Sequence, residues 1–133
     1  MATEYLDNYL DSKKALGWRG INAPITVEEK FVKVTGPRAL FGWVKVSAQP
    51  ADSFSYHSKV KWPSDNYDQA IFLGLFDVLL SRDMYPILGL SLEIEEIKWH
   101  EIDSCYFGYY QAARKAALEI VKTGNVNFEI IKN

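Results

Sequence analysis

The sequence predicts an α+β fold with the element order βββαβαβ. Three observations carry this. Apolar and polar residues alternate through three stretches between Ile25 and Trp62, apolar residues recur at three- and four-residue spacing in two later stretches, and a strand-like run follows each of those. Such elements bury their apolar sides as a mixed sheet of four strands, or slightly more, with two helices on one face.

In order along the chain, residues 4–16 place Tyr5, Tyr9 and Leu16 near one helical face, so a short helix is expected in an N-terminal segment, residues 1–24. The domain itself is expected over 25–133. Residues 25–34 are rich in β-branched side chains and read as the first strand, with Ile25, Val27 and Phe31 on one face and Val32 and Val34 on the other. Thr35-Gly36-Pro37-Arg38 is a turn in which Gly36 can supply a positive φ where one is needed and Pro37 fixes its own φ. Residues 40–48 complete a hairpin, with Val44, Val46 and Ala48 opposite Trp43, Lys45 and Ser47. Phe54, Tyr56, Ser58, Val60 and Trp62 then share one face of a third strand. Ser64 or Asp65 is expected to cap the first helix, in which Ala70, Ile71, Leu75, Val78 and Leu79 repeat at helical period and Phe72, Phe76 and Leu80 widen the apolar surface. Pro86 and Gly89 separate it from a strand at 90–99, whose alternation puts Glu93 and Glu95 on one face and Glu96 on the other. The second helix is expected to start from Asp103 as its cap and to stop at Gly124. Its apolar stripe is Tyr106, Tyr109, Tyr110, Ala113, Ala116, Ala117 and Ile120, and the alanines predict close packing. Val126, Phe128 and Ile130 alternate in a last strand.

A length of 133 residues suits one domain with its own core. Cys105 is the lone cysteine, which leaves no internal disulfide and fits a reducing compartment. No 18-residue apolar run occurs, and the first residues are too polar for a signal peptide, so a cytoplasmic protein without a membrane partner is expected. The net charge of −2 excludes a general polyanion binder, yet the charge is segregated. Lys30, Lys33, Arg38, Lys45, Lys59 and Lys61 face one acid, Asp52, whereas eleven acids face six bases from Trp62 onward. Solvated outer strand faces, which lysine suits, are the preferred account of these residues over a surface that orients the protein in a field.

Catalytic signals are sparse. No G-x-x-x-x-G-K-[ST] loop is present, and His57 and His100 lack metal-ligand spacing to each other or to Cys105. His100, Asp103, Ser104 and Cys105 lie close enough for a nucleophile and base. Asp103 is better used as a helix cap, however, and Cys105 falls in the first helical turn. No catalytic, metal or cofactor site is assigned, and the expectation is a protein that is not an enzyme. Trp62 belongs to the core face; Trp43 and Trp99, near strand ends, are open to packing or to stacking on bases.

The residues HEIDSC at 100–105, the aromatic turn and the alanine-rich helix after them resemble domain IV of elongation factor G. That family carries H-[ED]-V-D-S-S before its last long helix; Ile102 stands here for the valine and Cys105 for the second serine. The resemblance runs in unbroken order over residues 25–131. It implies a stand-alone domain without a GTPase, and a left-handed βαβ crossover where pattern alone would default to right-handed. It also implies a role in translation, binding the ribosome or structured RNA through one end. Carried over, that end consists of the hairpin tip, with Lys33, Gly36 and Arg38, and the strand-to-helix corner, with Lys98, Trp99 and His100. Lys33, Arg38, Lys98 and His100 would meet phosphates and Trp99 a base. The tip departs from the family, whose loop is longer and rich in glycine and arginine; this one is short and carries Pro37. The alternative expectation is a protein-interaction module, either a homodimer through a sheet edge or the partner of a separate factor.

Overall fold

A computed structural model describes residues 19–81 and 87–123. The helix expected at 4–16, the last strand at 126–130 and the stop at Gly124 lie outside the described residues. Seven elements follow one another: β1 (Arg19–Gly20), β2 (Ile25–Thr35), β3 (Arg38–Pro50), β4 (Ser55–Ser58), α1 (Asp68–Ser81), β5 (Ile87–Ile97) and α2 (Tyr106–Thr123). The fold is α+β. Its mixed sheet runs β1-β5-β3-β2, with β4 also paired to β5. β2–β3 and β3–β5 are antiparallel, whereas β1 and β4 run parallel to β5.

Alternation decides which sheet face is covered. Val46 lies opposite Ile94 and Ala48 opposite Leu92, so these side chains share a face. They form one core with Ala70, Ile71, Leu75 and Leu79 of α1 and with Tyr109, Ala112, Ala113, Ala116, Ala117 and Ile120 of α2. Both helices therefore cover the same face. The other face, which carries Lys45, Ser47 and Glu93, is covered by no helix among the described residues.

The structure departs from expectation at five places. β1 precedes the expected first strand, and Ile21 behind it is buried, with its N–H donating to Gly89 O at 3.4 Å. A two-residue strand has no alternation to read. The third strand pairs only over Ser55–Ser58, although the in-out pattern continues to Trp62. The Ser58 hydroxyl accepts Val60 N–H at 3.3 Å and donates to Asp68 at 2.9 Å, drawing the chain off the sheet toward α1. At the start of α1, Asn66 Oδ1 accepts Asp68 N–H at 2.9 Å, taking the place expected for Ser64 or Asp65. In β5 the register slips beside Lys45 and Val46, leaving Glu95 without an opposite residue in β3. This bulge turns Glu96 to the face of Glu93, against simple alternation. Finally, α2 begins at Tyr106, so Cys105 is its cap, with Sγ accepting Gly108 N–H at 3.4 Å; Asp103 is not.

Candidate nucleic-acid interface

The hairpin closes on the two residues Gly36 and Pro37, with Thr35 paired to Arg38. Gly36 has φ of 63°, which places glycine at the first central position of a II′-type turn, and proline suits the second. A two-residue loop keeps both strands in tight register to their ends. Helix α2 crosses this hairpin at Gly42. A Cβ on Gly42 would overlap Gly108 and Tyr109 backbone, and one on Gly108 would overlap Phe41 backbone and lie 2.8 Å from Gly42 N. Beyond that crossing each strand continues for four residues, 32–35 and 38–41, an arm of about 13 Å at the rise of an extended strand.

The two faces of the arm differ. Lys33 pairs with Leu40 and Thr35 with Arg38, so these four share the helix-side face. Val32 pairs with Phe41 and Val34 with Ala39 on the open side. Val32 and Val34 are 54% and 72% exposed. Lys30, Lys33 and Arg38 are exposed, and residues 30–50 contain no acid.

The strand-to-helix corner is fastened to the base of the arm through the backbone. Phe41 N–H donates to Asp103 O at 2.9 Å, Cys105 N–H to Phe41 O at 3.4 Å and Lys98 N–H to Trp43 O at 3.4 Å. Ser104 closes the corner: its hydroxyl accepts His100 N–H at 2.7 Å and lies 3.0 Å from Tyr109 Oη, which donates to Lys98 O at 2.7 Å. Burial, the larger effect, pushes the Tyr109 phenol up, keeping it a donor. His100 is half exposed at 52%, and its Nδ1 accepts Asp103 N–H at 3.0 Å. In the neutral ring that leaves the proton on Nε2. The Asp103 carboxylate stands 3.5 Å from the same Nδ1. Ser104 Oγ thus bonds backbone and phenol, not the imidazole.

Each residue expected at the site can now be placed. Lys33, Gly36 and Arg38 are on the arm; Lys98 and His100 are at its base, with the His100 ring 6.1 Å from that of Phe41. The tip and the corner are therefore offset along one ribbon. Lys98 Nζ lies 4.4 Å over the Trp43 ring, which buries that indole on the face without helices. Trp99 is committed elsewhere: it stacks on Tyr67 at 5.9 Å and Tyr109 at 6.2 Å, with the edge of Trp62 at 6.0 Å. The corner also carries acids. Asp65 and Glu101 line a cleft of about 500 Å³ with Pro63, Ser64, Trp99, Ile102 and Ser104. Elsewhere the lysines are balanced: Lys45 stands opposite Glu28 and Glu96, and Lys59 pairs with Glu95 at 3.2 Å and Glu93 at 3.5 Å. Of the basic segment, Lys33 and Arg38 stand on the arm, apart from these carboxylates.

Sequence reasoning missed Phe41, Gly42, Gly108 and the apolar side of the arm. The glycines left a signal, since a glycine inside a helix or strand costs stability unless a backbone comes close. Among the described residues no group of three or more His, Cys, Asp or Glu side chains is placed to hold a metal, and no helix is long and apolar enough to cross a membrane.

No protein-family model matches the sequence. Among solved structures, the fold is similar to a crystal structure from Thermus thermophilus, with a TM-score of 0.74 and 21% sequence identity over 82% of this chain and 17% of that one. This chain thus has the fold of one part of a much longer Thermus thermophilus protein.

Proposed function

We propose that this chain is a non-catalytic RNA-binding module that docks on the ribosome or another structured RNA through the arm and the corner at its base. The resemblance to domain IV of elongation factor G suggests this partner, and the arm is the observation that carries it. A narrow, exposed ribbon bears Lys33 and Arg38 with no acid between Lys30 and Pro50, while Lys45 and Lys59 farther along the sheet face carboxylates. Phosphate contacts of this kind make affinity fall with salt. His100 presents its Nε2 side at the base, and Trp99 supports the corner from within. Filter binding to ribosomes and to a structured RNA at two salt concentrations tests the reading. Saturable binding is expected, with Lys33→Gln and Arg38→Gln each lowering the salt slope by about one. Absence of salt-sensitive binding overturns it.

The cleft favours a second reading. Asp65 and Glu101 beside Trp99, with Ile102 86% exposed, suit a basic and apolar segment of a protein. Capture from native cytosol followed by RNase separates the two: an RNA-borne partner is released, whereas a protein held at the cleft persists.

A further inference from the structure

We infer that the open side of the arm, Val32, Val34 and Ala39 with Phe41 at its base, receives unstacked nucleobases, so that the preferred RNA is bulged or single-stranded where the ribbon meets it. This rests on the RNA-binding reading above and deepens it. The pairing places these four residues on one side and Lys33, Thr35 and Arg38 on the other. Val32 and Val34, 54% and 72% exposed, stand on the side of the hairpin opposite the helix-side face. β-Branched side chains stiffen the ribbon, but exposed valines on a projecting arm are apolar surface that water disfavours.

What covers them must also tolerate Lys33 and Arg38 on the other side of the same short ribbon. A second copy of the arm laid valine to valine covers the apolar side but leaves Lys33 and Arg38, on the far side, without a counter-charge. A continuous A-form duplex satisfies the cations alone: its bases are stacked inward, and it offers phosphates and 2′-hydroxyls to the valines. A strand with splayed bases offers both, phosphates to the basic side and flat apolar rings to the other. The Phe41 ring, 6.1 Å from His100 and tilted 46° to it, would end such a stack at the corner.

The test is fluorescence anisotropy with two labelled RNA hairpins, one carrying a three-nucleotide bulge and one fully paired, at two salt concentrations. The wild type is expected to bind the bulged RNA more tightly, by on the order of tenfold. Val32→Thr/Val34→Thr keeps strand shape and exposure while adding hydroxyls; it should erase that preference and leave the salt slope unchanged. Arg38→Gln should weaken both RNAs alike and flatten the slope. Equal affinity of the wild type for the two hairpins, or a preference that survives the double substitution, overturns the inference while leaving RNA binding in place. Failure of both hairpins to bind overturns the RNA-binding reading and this inference together.

Discussion

A methyl group placed on Gly36 meets nothing within 4 Å, so the φ of 63° is the whole cost of replacing it. Gly36→Ala should lose about 1 kcal/mol, and Gly36→Asn less, by urea denaturation. Gly42→Ala is different in kind, because two backbones meet there; a loss of about 3 kcal/mol is expected, at the upper end for overpacking. Equal effects at the two glycines would contradict the crossing. Tyr56 gives the opposite sign. Its hydroxyl is buried without a hydrogen-bond partner among the described residues, and burial, then the Asp68 charge, push its pKa well up. Tyr56→Phe should therefore stabilise the fold by about 1 kcal/mol at neutral pH. The pH dependence follows from the same shift. The unfolded chain loses this phenolic proton near pH 10 while the folded chain keeps it, so stability is full below that value and falls above it. Thermal melts between pH 9 and 11 should decline less steeply for Tyr56→Phe than for the wild type. At His100, replacement by Ala removes the acceptor for Asp103 N–H and should cost about 1 kcal/mol, part of which Asn restores.

Elements with a long apolar period were the legible ones. Ala70, Ile71, Leu75, Val78 and Leu79 are all buried, as are Ala113, Ala116, Ala117 and Ile120. Replacing Ala116 or Ala117 by Leu should cost about 1–3 kcal/mol by overpacking, and a wild-type melting temperature in both would refute the close approach. Tyr106, expected on the same stripe, is 42% exposed, and Gly108 and Ala112 are buried in its stead. Periodicity gave the direction of the face but not its centre, because the glycine at 108 lets the first turn tilt onto the hairpin. Ends were poorly legible for a similar reason. Cys105, not Asp103, caps α2 because Ser104 bridges to Phe41 and holds the preceding residues in a turn, a contact distant in sequence. The bulge at Glu95 follows from pairing with β3, and no single strand contains that information.

At the scale of the molecule, the α+β class was legible, and so was the order from β2 to α2, because each of those elements could be read from its own residues; β1 was not. The arrangement of charge was not. Six basic residues in one segment suggested a basic surface, yet Lys45 and Lys59 are answered by Glu28, Glu93, Glu95 and Glu96 from neighbouring strands. Only the sheet order reveals that Lys33 and Arg38, on the arm, stand apart from those carboxylates. The way that arm is rooted has a mechanical consequence. Its base is clamped by backbone on both sides, α2 at Gly42 and the corner at Phe41, and Gly74 packs as tightly into α2 from α1, where a Cβ would come within 2.8 Å of Ala113 Cβ. A push on the tip therefore has no soft joint to bend. It is handed on through α2 to α1, so the root of the arm and the two helices shift together.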